Sequence, residues 1–206
     1  MSKNLSKEEI QDIQDRICEL IYRAESFLKW SNQLLSIYEK ERDSLQNHIK
    51  KQYKFYKNPI TKCIILHQVL YFQEAVIDLH TLFERKGRPT EISFKYYFTN
   101  TEKSNLVKEI DKIRKEYKTA HLDKFRNRLF AHKQVDAAGD PFTGFFNPIK
   151  KEHIEKACLI VDKLRSLTNR YFNCASNNYF EGYYKPGFEI LYKTCETAFK
   201  KQNPLV

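Results

Sequence analysis

The residues best suited to chemistry lie in one short string, Phe125 to Lys133 (FRNRLFAHK). A histidine such as His132 titrates near neutral pH and can act as a general acid or base. Arg126 is permanently charged and can hold two phosphate oxygens at once. Asn127 adds a polar group beside it, and Arg128 shares a helical face with His132 as an alternative phosphate ligand. These residue types are suited to chemistry on a phosphate group, with Arg126 and His132 as the candidate catalytic residues.

The spacing alone is not specific, because 42–48 and 114–121 also begin with Arg and end with His. Those two stretches are rich in charge and have no apolar string between the Arg and the His. The 126–132 string instead continues an apolar helical pattern in which Leu122, Phe125 and Leu129 recur at three- and four-residue intervals. This context distinguishes the string from the other two matches.

The string resembles the signature of the HEPN superfamily, which is an Arg, usually a polar residue directly after it, and a His after four to six intervening residues. Five residues separate Arg126 from His132, and Asn127 takes the polar position. The ending Leu-Phe-Ala-His-Lys is similar to the abortive-infection branch of that superfamily. The similarity in the order of helices covers residues 10–170, whereas only the short string is specific.

The resemblance implies an endoribonuclease that cleaves RNA without a metal and leaves 2′,3′-cyclic phosphate ends. It would be a toxin in phage defence or in a toxin–antitoxin pair. In this interpretation His132 acts on a ribose 2′-hydroxyl, Arg126 stabilises the charge that builds on phosphorus, and Asn127 orients one of them. Gln134 stands where related toxins often carry a Tyr that a nucleotidyltransferase antitoxin modifies. That modification is therefore not expected, although another antitoxin or regulatory protein remains open.

The resemblance also implies a homodimer. Six helical steps place Arg126 and His132 about 120° and about 9 Å apart, so the two would not converge within one straight helix. A two-fold interface brings a patch against its own copy and would gather two Arg and two His around one cleft. We expect the 126–132 segment at that interface.

Two other interpretations stay open. The chain could be a HEPN module without catalytic activity that binds RNA or a protein partner, since a fold does not establish an activity. It could also be a basic helical scaffold in which Arg126 and His132 only complement the dipole at a helix C-terminus.

The net charge of +10 and the pI of about 9.2 favour a polyphosphate partner, here RNA. Part of the excess could equally be a solvated face. No zinc spacing, glycine-rich phosphate loop or membrane-length apolar run occurs in the sequence, so we expect no metal, cofactor or membrane. Five cysteines form no Cys-x-x-Cys pair, and Cys18, Cys158 and Cys195 lie in apolar helical patterns. These features predict a cytoplasmic protein with reduced cysteines.

The pattern of apolar residues predicts an all-α protein, a bundle of four or five helices in a single domain over 1–206. Its core would span 6–172, followed by an aromatic C-terminal extension over 173–206 without an assigned role. Ser6 and Glu9 form a capping-box pattern before the first helix, which would continue, with or without a break, to Leu45. Residues 60–85 predict a central buried helix.

Later elements are less regular. We expect a loop containing the aromatics of 94–98, then a helix from Leu106 that is interrupted near Thr119 and resumes through the candidate string. Residues 154–167 predict another helix, and a turn-rich connection from 173 to 187 precedes a short last helix.

Asp78 is a candidate supporting acid, because it lies within the apolar central helix. It could face a polar cleft, or it could simply be partly exposed or satisfied by a hydrogen bond.

Overall fold

The computed structural model describes residues 5–45, 57–84, 93–101, 106–125, 149–172 and 179–202. The described residues form seven helices and no β-strand, which confirms the all-α prediction. The helices are α1 (Lys7–Ser44), α2 (Pro59–Phe83), α3 (Phe94–Asn100), α4 (Leu106–Thr119), α5 (Leu122–Phe125), α6 (Lys151–Tyr171) and α7 (Tyr179–Gln202).

Helix α1 starts where the capping box predicted. The Ser6 hydroxyl accepts a hydrogen bond from the Glu9 backbone N–H at 3.1 Å, and the Glu9 carboxylate accepts from the Ser6 N–H at 2.8 Å. The helix then continues without a break to Ser44. Asn58 caps α2 in a similar way, accepting from the Ile60 N–H at 2.9 Å, and Pro59 occupies the first turn, where its missing N–H costs nothing.

The four principal helices alternate in direction. Ser31 of α1 contacts Gln68 of α2, and Arg23 contacts Asp78, so these two helices are antiparallel. On α6, Ile149 precedes the helix beside Gln68, whereas Arg165 lies farther along and contacts Glu25 of α1, so α6 runs parallel to α2. Two ion pairs, Arg170–Glu109 and Lys163–Glu116, make α4 antiparallel to α6. The result is an up-and-down arrangement of α1, α2, α4 and α6.

Helix α3 corrects the sequence prediction of a loop over 94–98. Phe94, Tyr97 and Phe98 are fully or almost fully buried, at the i, i+3 and i+4 spacing of a helix face. The hydroxyl of Ser93 caps the helix by accepting from the Tyr96 N–H at 3.2 Å. The aromatic face packs against Phe172 at the end of α6.

Helix α7 is longer than the short helix that the sequence predicts, because it begins at Tyr179 and includes Pro186. Proline within a helix removes one backbone hydrogen bond. The helix is anchored through Phe188, whose ring stacks on Trp30 of α1 with centroids 5.1 Å apart and planes 11° apart. Aromatic packing of this kind offsets the lost bond.

Among the described residues, Cys63, Cys158 and Cys195 are free thiols. Burial raises the pKa of Cys158 and of Cys195 to about 11, so these two behave as apolar residues. Cys18 corrects the prediction of a reduced side chain, because it is disulfide-bonded. Disulfides are rare in reducing compartments except in redox-active proteins.

Candidate functional site

Phe125, the residue directly before Arg126, is fixed by aromatic contacts. Its ring meets Phe72 of α2 edge-to-face, with centroids 5.3 Å apart, and His153 of α6 in the same manner at 4.9 Å. Phe72 is 0% exposed and lies in the centre of the core. The start of the candidate string is therefore held between α2 and the first turn of α6.

The predicted interruption near Thr119 is present, and His121 is the reason for it. Helix α4 ends at Thr119, and His121 adopts a φ of 59°, in the left-handed region that stops an α-helix. The chain re-enters a helix at Leu122, which is completely buried, while the His121 carbonyl accepts a hydrogen bond from the Lys124 N–H at 3.1 Å. Leu122 and Phe125 thus anchor α5 on the core as predicted.

The four residues of the predicted site, Arg126, Asn127, Arg128 and His132, lie outside the described residues, as do Leu129 and Gln134. What the structure describes is the two flanks of this segment, which are Phe125 on one side and Ile149 on the other.

Ile149 is held by the side-chain amide of Gln68. The Gln68 Oε1 accepts from the Ile149 N–H at 2.9 Å, and its Nε2 donates to the Ile149 carbonyl at 3.2 Å. The same Nε2 donates to the Ser31 hydroxyl at 3.1 Å, and that hydroxyl donates to the Gln68 carbonyl at 2.9 Å. Gln68 is only 1% exposed, so its amide is a dedicated internal connection. It fixes the entry into α6, whose N-cap residue Lys150 has no side-chain capping bond.

Both flanks lie beside the same part of α2. Phe125 contacts Phe72, and Ile149 contacts Gln68, which is one helical turn earlier. One turn of a helix rises about 5.4 Å. Phe125 and Ile149 therefore lie at neighbouring points along α2.

His153 is a residue of this region that the sequence analysis did not assign. Burial lowers its pKa, and Lys156 and Lys150 lower it further, while Glu152 opposes them with its carboxylate 3.9 Å from Nε2. Its Nδ1 is buried and has no hydrogen-bond partner among the described residues. The imidazole of His153 is packed against Phe125 at the start of the candidate string. Its position three residues into α6 carries no sequence signal.

Asp78 is buried rather than partly exposed, since only 3% of it is accessible. Its Oδ2 lies 3.3 Å from Nε of Arg23. Burial raises the pKa of Asp78 to about 7, the charge of Arg23 lowers it, and Glu74 and Glu19 raise it. Asp78 is six residues beyond Phe72 on α2, about 9 Å along the axis. Its described partner is thus Arg23 of α1.

The arginines of the other two Arg…His matches, Arg42 and Arg114, lie in α1 and α4. Arg42 forms an ion pair with Asp43 at 2.9 Å and lies over the ring of Tyr38, while His48 lies outside the described residues. Arg114 lies within α4, whereas His121 forms the left-handed turn after it.

No group of three His, Cys, Asp or Glu side chains in the described ranges could hold a metal ion. None of the described helices is both long and apolar enough to cross a membrane.

Comparison with protein-family models, with curated proteins and with solved structures gives no match for this chain. The resemblance to HEPN proteins therefore stays a prediction from the sequence, made on the residues of the 125–133 string and the predicted order of the helices.

Proposed function

We propose that this chain is a HEPN-type endoribonuclease that cleaves RNA without a metal, at a composite site across a homodimer. The observation that carries the proposal is the anchoring of Phe125 between Phe72 and His153, directly before Arg126, on an up-and-down helical bundle. Such anchoring is what a site at residues 126–132 needs, because catalytic groups must be held to a fraction of an ångström by a rigid support.

The proposed reaction is an internal transfer at phosphorus. The ribose 2′-oxygen attacks the adjacent phosphorus, the bond to the 5′-oxygen of the next nucleotide breaks, and the products are a 2′,3′-cyclic phosphate and a 5′-hydroxyl. His132 takes the proton from the 2′-hydroxyl, and the partner subunit's His132 gives one to the leaving 5′-oxygen. Arg126 stabilises the negative charge on the phosphoryl oxygens. Asn127 orients one of these groups, and Arg128 is a further phosphate ligand.

The dimer follows from the same residues. On a straight helix Arg126 and His132 would be separated by about 120°, so one copy would offer each group from a different side. Two copies related by a two-fold axis would complete the site. The net charge of +10 supports RNA as the substrate, because each neutralised phosphate releases counterions.

The proposed setting is the cytoplasm, where an RNA-cleaving toxin would act in phage defence or in a toxin–antitoxin pair. An uncontrolled nuclease would harm its own cell, so an antitoxin or regulatory protein is part of the proposal.

The test is incubation of the purified protein with total RNA in EDTA, beside Arg126→Ala and His132→Ala. We expect cleavage by the wild type and a loss of at least a hundredfold in each variant, with dimerisation and helical content retained.

Matched controls are Arg170→Ala and His121→Asn. Arg170 is exposed, and its ion pair with Glu109 lies on the surface. Asn accepts the left-handed backbone of His121. Both controls should cleave normally. If the folded wild-type dimer binds RNA without cleaving it, the chain is a non-catalytic HEPN binding module and not an enzyme. If all five proteins cleave equally, Arg126 and His132 are not the catalytic residues.

A further inference from the structure

A cavity of about 130 Å³ lies between α1 and α7, and none of the residues proposed for cleavage is among the residues that line it. Its α7 wall belongs to the C-terminal extension for which the sequence offered no role. The cavity is small beside the roughly 300–1,000 Å³ of pockets for drug-sized ligands. That space suits one flat ring rather than a large ligand.

One wall of the cavity is aromatic. Trp30 and Phe188 stack on each other and are 4% and 5% exposed, so they form a fixed floor. Tyr192 lies next to Phe188, with ring centroids 5.9 Å apart, and is only partly buried. Aromatic side chains of this kind stack unpaired nucleobases whatever their sequence.

The rim of the cavity is basic. Lys29 of α1 and Lys185 and Lys193 of α7 line it, and all three are exposed. Glu189 is the one acid in the lining, so the cavity carries two net positive charges. Within the described ranges none of the three lysines forms an ion pair. They are therefore available to phosphate groups that flank a seated ring.

Gln33 adds a hydrogen-bonding group to the lining. Its Oε1 is buried and has no hydrogen-bond partner among the described residues. An amide offers both donors and an acceptor, which is the combination that the edge of a nucleobase presents. A buried amide oxygen without a partner is costly, and a ligand that supplies a donor would recover this cost.

We propose that this cavity binds one unpaired nucleotide of a single-stranded RNA, with the ring beside Trp30 and Tyr192 and the flanking phosphates on the lysines. The limited volume favours a pyrimidine. The inference deepens the proposed function by giving the RNA a holding point outside the cleavage site, and it rests on that function only for the choice of RNA as ligand. The shared chemistry is a nucleobase beside a phosphate, which a free mononucleotide also has.

The chain offers a direct probe, because Trp30 is its only tryptophan. The full-length His132→Ala protein, which leaves RNA uncut, would be titrated with an eight-nucleotide oligouridylate and with uridine monophosphate. Tryptophan emission reports occupation of the cavity, and anisotropy of a labelled oligonucleotide reports total binding. We expect a saturable change in Trp30 emission with the oligonucleotide, and much weaker binding of the mononucleotide.

Two pairs of variants test the contacts. Tyr192→Leu should weaken oligonucleotide binding by about five- to 150-fold, the loss of one stacked base, whereas Tyr192→Phe should retain it. The double variant Lys185→Gln, Lys193→Gln loses two phosphate contacts. The slope of the logarithm of the association constant against the logarithm of the salt concentration should therefore fall in magnitude by about 1.4. The matched control is Lys112→Gln with Lys115→Gln, two exposed lysines of α4, which does not line the cavity. Melting curves establish that each variant is folded.

The inference is overturned if the oligonucleotide binds by anisotropy but leaves Trp30 emission unchanged, or if folded Tyr192→Leu binds like the parent. If the mononucleotide binds as tightly as the oligonucleotide, the ligand of the cavity is a free nucleotide and not an RNA strand. Binding in the cavity together with no cleavage by the wild type would support this inference while removing the proposed activity, so the two failures are distinguishable.

Discussion

The side-chain amide of Gln68 holds the backbone of Ile149 at both its N–H and its carbonyl, at 2.9 and 3.2 Å. This pairing imitates a strand-to-strand hydrogen bond within an all-helical core. It determines where the chain enters α6. One buried side chain, Gln68, therefore connects α1, α2 and the start of α6.

Replacing Gln68 by Ala should lower the free energy of unfolding by about 2–4 kcal/mol, because buried groups of Ile149 and Ser31 lose their partners. Chemical denaturation measures this loss. Gln11→Ala is the control, since Gln11 makes one exposed hydrogen bond to Asp15, and it should cost less than about 0.5 kcal/mol. Equally small losses of unfolding free energy in Gln68→Ala and Gln11→Ala would show that the hydrogen bonds of Gln68 do not stabilise the fold.

Replacing Phe125 by Ala should lower the free energy of unfolding by about 2–4 kcal/mol, because the ring packs against Phe72 and His153. If Phe125 positions the string, RNA cleavage should fall even at temperatures where the variant is fully folded. Leu159→Ala, at a side chain 60% exposed, provides a control of similar chemistry. If a folded Phe125→Ala protein cleaves RNA as the wild type does, the contacts of Phe125 are not needed for the activity.

The raised pKa of Asp78 should make the stability of the fold depend on pH. Its pKa is raised from 3.8 to about 7 by burial, so between these values the folded protein keeps a proton that the unfolded chain has lost. Its contribution therefore favours folding at low pH and is lost as the pH rises to about 7. Relative to Asp78→Asn, the wild type should lose roughly 2–3 kcal/mol between pH 5 and pH 8.

Denaturation of both proteins at the two pH values measures this difference. Asn cannot ionise, and Arg23 keeps contact with water because about a third of its side chain is exposed. A wild type that gains stability over Asp78→Asn as the pH rises would mean that the attraction to Arg23 outweighs the burial of the carboxylate.

The ion pair between Arg165 and Glu25 joins α6 to α1 with two hydrogen bonds of 2.8 and 3.0 Å, yet both side chains are exposed. Exposed pairs contribute little, so a double-mutant cycle with Arg165→Gln and Glu25→Gln should give a coupling below about 1 kcal/mol that shrinks in salt. A coupling of several kcal/mol would contradict this.

The long helices could be predicted because their signals are local. The Ser6–Glu9 capping box starts α1, and the apolar spacing of Leu106, Ile110 and Ile113 describes α4, with its end near Thr119. The helix over 94–100 was missed because its aromatic residues follow a stretch containing Gly and Pro that favours a loop. Its stability depends on Phe172, which is remote in sequence.

The surroundings of the site could be predicted only in part. Leu122 and Phe125 carry apolar spacing, and both lie as expected. Gln68 carries no such signal, because a Gln within an apolar run says nothing about which backbone its amide will meet. The same holds for His153, whose role depends on the packing of Phe125, and for the cavity, which forms only when α7 docks on Trp30.

The most direct test of the central claim is cleavage, in EDTA, of an RNA oligonucleotide that carries a site mapped in total RNA. A matched oligonucleotide has 2′-deoxyribose on the 5′ side of the scissile phosphate. We predict that the wild type cuts the first to a 2′,3′-cyclic phosphate and a 5′-hydroxyl, that it leaves the second intact, and that His132→Ala cuts neither. Cleavage of the deoxy-substituted strand, or a requirement for a divalent metal, would contradict the proposed mechanism.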